Sequence, residues 1–335
     1  MKKKQLFVGI DVSKLSLDVF VLGGASLNSG SHFKVSNSVD GIKAILKQLP
    51  KDLLKDDQIL FCFEDTGVYS MPLCYFFEQK AISYACIPAI QIKKSTGIKR
   101  GKSDKYDARD IAFYAKTHVD EIASKQLPLI EIQELKVLLC ERDKLVKTIK
   151  VFKSSQEAFG YIDEKALENL RKSNAKTIQL LTRQLEDIDN LINELITKNQ
   201  TINRQKTLLE SIPGVGPQTA MFLIVYSNCF NNFDNWRQMA CYAGVAPFPY
   251  QSGTSIHGRT KVSHLAQKKL KSLLNMAALS AVKYDKEISG YYTRKVAEGK
   301  NKMSVLNAVR CKILGRAFAV INRNSPFVDM RKFAA

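Results

Sequence analysis

Several features that would define other protein classes are missing from this sequence. No two of its seven cysteines are spaced C-x-x-C, and their number is odd. That excludes a zinc knuckle and a complete disulfide framework, and points to buried thiols in a reducing cytoplasm. No apolar run approaches the roughly 20 residues that cross a bilayer. The basic tip Lys2-Lys3-Lys4 leads into an apolar stretch, but this meets Asp11 too soon for a signal-peptide core. Acidic residues are in short supply: 32 Asp and Glu stand against 51 Lys and Arg, a net charge of +19. The 45% hydrophobic share is too high for a disordered chain, and 335 residues are enough for two or three domains with cores of their own.

Such an excess of positive charge calls for a polyanion. It is also uneven. From Gly253 to Ala335 there are 17 Lys and Arg against four Asp and Glu, or +13 in that stretch alone. A membrane surface would select a basic amphipathic helix with a bulky apolar face. This stretch is instead interleaved with Gly, Ser and Asn, so nucleic acid is the expected partner and a membrane is not.

The first 122 residues read as α/β. Leu6 to Asp11 is a short apolar strand ending on a carboxylate, Leu15 to Leu22 its hairpin partner, and His32 to Ser36 a third strand. Asn37 or Ser38 can cap a helix that Pro50 stops. Ile59 to Glu64 is a buried strand, again ending on a carboxylate. A helix over 70–80, a strand over 83–87 and a helix over 103–117 complete the order expected of an RNase H-like domain. Between 128 and 206, Leu135, Leu138, Arg142, Leu145, Ile149 and Phe152 step by three and four, as do Ile178, Leu181, Leu185, Ile188, Ile192 and Leu195. These are two coiled-coil seams broken near Gly160, which can close on each other as a helical hairpin or serve dimerisation. From 207 to 335 the chain reads as mostly α. It opens on Ile212-Pro213-Gly214-Val215-Gly216, the turn of a helix-hairpin-helix unit. There Gly214 and Gly216 would let backbone amides approach a phosphate. A loop at about 246–260 is rich in Pro, Gly, Ser and Thr.

Four acids stand out for chemistry. Asp11 and Glu64 end neighbouring strands in the expected topology, and Asp104 and Asp107 share a helix face. Converging carboxylates repel, and hard divalent cations, Mg²⁺ or Mn²⁺, relieve this; two ions roughly 4 Å apart suit phosphodiester chemistry. Each acid also has a plain reading, as a turn cap or a solvated face. Asp110 lies about 120° from Asp104 around the helix, and strand alternation points Asp65 away from Glu64; neither is counted in the group. The run Lys93, Lys94, Lys99, Arg100, Lys102 leads into the acidic helix, where a nucleic-acid backbone would lie. In the Pro-Gly-Ser loop, Ser252-Gly253 could present a hydroxyl, although a Ser-Gly pair is more often only a turn, and serine needs activation to attack.

Gly9-Ile10-Asp11-Val12-Ser13-Lys14, Glu64-Asp65-Thr66-Gly67-Val68-Tyr69, Lys102-Ser103-Asp104-Lys105-Tyr106-Asp107-Ala108, the Pro-Gly-Val-Gly turn and Tyr250-Gln251-Ser252-Gly253 occur in that order. Over nearly its full length the chain resembles the DEDD transposases of one insertion-sequence family, the bridge-RNA-guided recombinases. The resemblance implies a RuvC-like domain, a coiled-coil region and a C-terminal transposase domain. It also implies a homo-oligomer, dimer to tetramer, on a structured RNA that pairs with donor and target DNA near the nucleoid. The family's acidic quartet falls on Asp11, Glu64, Asp104 and Asp107, and its nucleophilic serine on Ser252, with Ser255 as the fallback. Asp65 departs from the small or neutral residue expected there. On this pattern Ser252 attacks the scissile phosphate, strand exchange follows, and reversal rejoins the DNA without ATP. Arg259, Lys261, Lys268 and Lys269 would neutralise backbone charge, and base pairing would choose the sequence. Ser252 falls in a different predicted domain from the carboxylates, so two protomers could share one reaction centre. A Holliday-junction resolvase or nuclease using water would keep the quartet and leave the serine unexplained. A non-catalytic binder would gain nothing from four acids beside DNA.

Overall fold

The computed structural model describes residues 4–23, 30–55, 57–95, 97, 103–122, 127–161, 164–253 and 255–329. The chain divides into two compact units, Met1–Leu127 and Pro128–Ala335.

The first unit is built on a five-stranded sheet. Its strands are β1 (Leu6–Val12), β2 (Ser16–Gly23), β3 (Gly30–Ser36), β4 (Ile59–Glu64) and β5 (Tyr84–Ile87), in the order β3-β2-β1-β4-β5. β1 to β3 are antiparallel, and β1, β4 and β5 are parallel. This is the RNase H-like arrangement that the element order predicts. Helices α1 (Val39–Lys47), α2 (Lys51–Lys55), α3 (Met71–Gln79), α4 (Ala89–Ser95) and α5 (Asp104–Thr117) complete the unit. The short helices α2 and α4, each directly after a proline, are additions to the sequence reading.

Both faces of the sheet are apolar, so the central strands read as nearly continuous hydrophobic runs. Val8, Ile10, Leu17, Val19, Phe61 and Phe63 pack on Ile42 and Ile45 of α1 and Leu73 and Phe77 of α3. Phe7, Phe20, Leu22, Leu60 and Cys62 face the other way, onto Ala108, Ile111, Ala112 and Ala115 of α5. That second face carries the candidate site. Ser38 caps α1 by accepting the Gly41 N–H, leaving Asn37 free for another task.

The second unit holds α6 (Ile130–Ala158), α7 (Glu164–Lys198), α8 (Gln200–Glu210), α9 (Pro217–Ser227), α10 (Trp236–Tyr242), α11 (Lys268–Tyr284), α12 (Lys286–Ala297) and α13 (Lys302–Arg323). α6 and α7 run antiparallel: Gln156 meets Arg171 near the turn, and Arg142 reaches Asp189 further along. Arg142 occupies a position in the apolar seam because its Nε and Nη2 donate to both carboxylate oxygens of Asp189, at 2.6 and 3.2 Å. The open end of this hairpin shares a core with the rest of the unit. Ile132, Leu135 and Leu139 of α6 and Ile192 and Leu195 of α7 cluster with buried residues of α9, α11 and α13.

The segment read as a loop over 246–260 is instead a β-hairpin, β6 (Pro247–Ser252) and β7 (Ile256–Val262). Its prolines tolerate this because a two-stranded sheet is all edge, and the pairing is irregular between Phe248 and Tyr250. Gly258 sits under the Tyr250 ring, where a Cβ would come within 2.6 Å of the ring carbon.

Candidate active site

Strand alternation decides which acids can meet. Asp11 lies two residues beyond Gly9, Glu64 two beyond Cys62 and Asp18 two before Phe20, and all three therefore face α5. Asp11 pairs directly with Asp18 across the antiparallel ladder, and Asp18 with Lys34 on β3. On the other side the parallel pairing ends at Ile10 and Phe63, so Asp11 and Glu64 follow one residue later on adjacent strands. A row Lys34, Asp18, Asp11, Glu64 thus crosses the sheet at the carboxyl ends of the parallel strands, where open α/β sheets place their sites.

α5 brings the other two acids. A Cβ on Gly9 would lie 2.2 Å from the Ala108 carbonyl oxygen and 2.3 Å from the Ala112 nitrogen. The missing side chain therefore lets the α5 backbone rest directly on β1. Ala108 and Ala112 are fully buried against it, and Asp104 and Asp107 are carried in the first turn of the same helix. Carboxylates in that turn also complement the positive end of the helix dipole.

The electrostatics report the convergence. Burial pushes the Asp11 carboxyl up to about 6, and the charges of Asp107, Asp104, Glu64 and Asp18 push it the same way. Asp18 is itself buried, with His32 Nε2 and Lys34 Nζ each 2.9 Å from its oxygens. The Lys34 ammonium is held above its ordinary value by its hydrogen bond to Asp18, and it lies 4.0 Å from Asp104. Among the described residues no three acidic, imidazole or thiolate groups stand as a ready cage for one ion. The acids are neighbours that repel, and among the described residues Lys34 compensates by pairing with Asp18 and approaching Asp104.

Burial and that repulsion together have a measurable consequence. A carboxyl with a raised folded-state value favours folding at low pH and loses that contribution as pH rises from about 4 through 6. The shift corresponds to ~3 kcal/mol at most, and to ~1 kcal/mol after solvent screening in a half-open site. Asp11→Asn should therefore raise the melting temperature of the metal-free protein by about 3 °C at pH 7.5. It should also blunt the further rise that Mg²⁺ gives the wild type. A lower melting temperature with an undiminished Mg²⁺ response would contradict this placement of Asp11.

The remaining predicted residues fall as follows. Asp65 lies outside the cluster: its N–H donates to the Ile87 carbonyl, and its Oδ1 accepts the Gly67 N–H of the following turn. Asp110 is buried on α5. Lys99, Arg100 and Lys102 lie outside the described residues. Gly214 has a φ of +92°, and a Cβ there would meet the Ala277 carbonyl at 2.5 Å. Its smallness thus serves packing on α11, whereas Gly216 at the N-cap of α9 is exposed with open space before it. Lys261 and Lys268 are exposed. Lys269 is paired with Asp143 and lies 4.9 Å from the centre of the Phe222 ring. Arg259 lies on β7. Ser252 closes β6 opposite Ile256, and Gly253 takes the left-handed turn that follows, with φ +56°. Ser255 lies in the same turn, before β7.

Asn37, Asp18, His32 and Lys34 were not singled out as site residues in the sequence. Asn37 Nδ2 donates to the carbonyls of Ser13 and Tyr69, at 2.9 Å each. It thereby ties the turn after Asp11 to the turn after Glu64. For Asp18 there was a signal, a charge inside a strand that is apolar on both faces.

Acids on the central strands of an RNase H-like sheet, with an acidic helix laid over them, define a class of nucleic-acid-processing domain. The comparisons with known proteins narrow this class. The DEDD transposase model of the IS110 type matches residues 8–158, and the model described as "Transposase IS116/IS110/IS902 family" matches residues 206–293. The chain thus matches two transposase domain models in succession: the first match contains the four acids, and the second contains the Gly214 turn and Ser252. It is 27% identical over 332 residues to the pilin gene-inverting protein of Moraxella bovis, an alignment covering 96% of this chain and 97% of that protein. The pilin gene-inverting protein of Moraxella lacunata is equally similar. The insertion element IS110 43.6 kDa protein of Streptomyces coelicolor is 32% identical over 124 residues, 37% of this chain and 30% of that protein. No helix among the described residues is long and apolar enough to cross a membrane. Transposase or recombinase activity is the general function these domains support.

Proposed function

We propose that the protein cleaves and rejoins DNA by transesterification, with Asp11, Glu64, Asp104 and Asp107 as a divalent-metal site and Ser252 as the attacking group. The observation that carries this reading is the convergence of Glu64, Asp104 and Asp107 on Asp11, whose carboxyl is pushed upward by burial and by the charges of those three acids and Asp18. An all-oxygen donor set under mutual repulsion fits Mg²⁺ or Mn²⁺ better than a softer ion. When bound, such an ion supplies Lewis-acid stabilisation of charge on the scissile phosphate.

The chain's own groups do the rest. Ser252 Oγ forms the new bond to phosphorus while the bond to the departing sugar oxygen breaks, and that oxygen takes up a proton. The reverse step, with a sugar hydroxyl of the exchanged strand attacking, restores the serine and seals the DNA. The ester conserves the bond energy, so no nucleotide cofactor is needed. The exposed Lys261 and Lys268, with Arg259, Lys99, Arg100 and Lys102, are assigned to the nucleic-acid backbone. A structured guide RNA pairing with donor and target DNA, and a homo-oligomer of two to four protomers, complete the reading. They rest on the resemblance of the ordered motifs. The relatives named for pilin gene inversion are consistent with rejoining rather than cutting alone. A second reading, a nuclease or junction resolvase using water, is favoured by one fact: the four acids lie on the first unit, without Ser252.

Two measurements test the proposal. Binding to DNA should weaken by about 10³–10⁵ between 50 and 200 mM salt if 6–10 phosphates are contacted, and a flat dependence would contradict it. RNA recovered with the purified protein should be one discrete structured species with segments complementary to the DNA it joins. Recovery of only random cellular RNA would contradict guidance.

A further inference from the structure

Arg310 of α13 is buried, with 6% of its surface exposed, yet no described carboxylate pairs with it. Its Nη1 donates to Asn307 Oδ1 at 3.2 Å and its Nη2 to Asn275 Oδ1 of α11 at 2.5 Å. Its buried Nε has no partner. Two neutral amides hold the fork in place and leave its charge uncompensated. Elsewhere the unit supplies acids to some of its arginines. Arg316, two turns further along α13, is paired with both Asp285 and Glu287, and Arg142 with Asp189. A buried guanidinium without an anion is costly, and a native structure that keeps one invites an explanation in ligand binding.

The surroundings indicate which anion. Asn307 Nδ2 donates to the Val245 carbonyl at 2.6 Å, and the Cys311 thiol donates to the same oxygen at 3.5 Å. Val245 precedes β6 by two residues, so the amide that holds Arg310 also anchors the base of the Ser252 hairpin. Lys271 and Lys268 lie four and seven residues before Asn275, on the same face of α11. Burial pulls the guanidinium below its ordinary value; the Cys311 thiol opposes this, but no carboxylate does. It nonetheless remains a fixed cation at any working pH.

We propose that Arg310 is a phosphate-binding group at the foot of the serine hairpin, and that a phosphodiester of the bound nucleic acid is its missing counter-anion. The proposal rests on the nucleic-acid reading above and deepens it. Asn275→Asp separates it from a purely structural role by supplying an internal carboxylate where the amide now stands. That variant should melt several degrees higher than wild type, because the buried charge gains a partner. It should bind DNA about ten-fold more weakly, with a log–log salt slope shallower by about 1, as for one lost phosphate contact. Arg310→Met should show the same loss of affinity and of slope.

The proposal is overturned if Asn275→Asp is more stable but binds DNA with unchanged affinity and slope. It is equally overturned if Asn275→Asp is less stable than wild type, since the added carboxylate should relieve an unpaired charge. Either result, with wild-type binding still strongly salt-dependent, leaves the broader nucleic-acid reading intact. A wild-type protein whose DNA binding ignores salt would defeat both.

Discussion

Replacing Asp104 or Asp107 with Asn should reduce metal-dependent DNA strand cleavage by at least about 10³-fold, equivalent to ~4 kcal/mol of barrier. Both carboxylates sit in the first turn of α5, and both act on Asp11. The helix is fixed to the sheet by other residues, chiefly Ala108, Ile111, Ala112 and Ala115, so neither substitution touches the core. Folding and salt-dependent DNA binding should therefore stay close to wild type, with a melting temperature equal to it or slightly higher because repulsion at Asp11 is relieved. Asp65→Asn is the internal control, because an Asn oxygen can still accept the Gly67 N–H. It should cleave at nearly the wild-type rate. Mg²⁺-dependent cleavage at the wild-type rate in Asp104→Asn or Asp107→Asn would show that the metal site is elsewhere.

The acids of the candidate site were legible wherever one element sufficed to place them. Asp11 and Glu64 terminate apolar runs, and Asp104 and Asp107 are three apart on a helix; pattern alone gives both facts. Asp18, His32 and Lys34 depend on the register of β2 against β1 and β3, which fixes Asp18 opposite both Asp11 and Lys34. No local pattern contains that register. Gly9 was readable as part of a motif but not as the seat of α5, since its role lies in a contact about 100 residues away in the chain.

Gly214 has a role that its motif does not show. A turn glycine reads as a phosphate contact in sequence, and here its bare Cα also accommodates the backbone of α11. The β6–β7 hairpin was hidden by composition: Pro247, Pro249, Gly253 and Gly258 are residues that usually break strands. An irregular two-stranded ribbon accepts them because only one edge of each strand is paired. The fold of the first unit followed from three successive strands and then helices alternating with strands. In the second, helices of mixed polarity gave positions but not partners.

Ser252→Ala should eliminate DNA cleavage altogether while leaving binding in place, because the attacking oxygen belongs to that side chain. Transesterification then leaves a diagnostic trace that water attack does not, a covalent bond between protein and DNA. A substrate nicked near the cleavage position allows the short leaving strand to diffuse away, so the reverse reaction is lost and the ester accumulates. The decisive measurement is denaturing electrophoresis of that reaction in Mg²⁺, followed by peptide mapping of any adduct. A DNA-linked protein mapped to Ser252, and absent in Ser252→Ala and Asp107→Asn, is the predicted result. Metal-dependent cleavage that yields only free ends, and persists in Ser252→Ala, would contradict it and identify a nuclease that uses water.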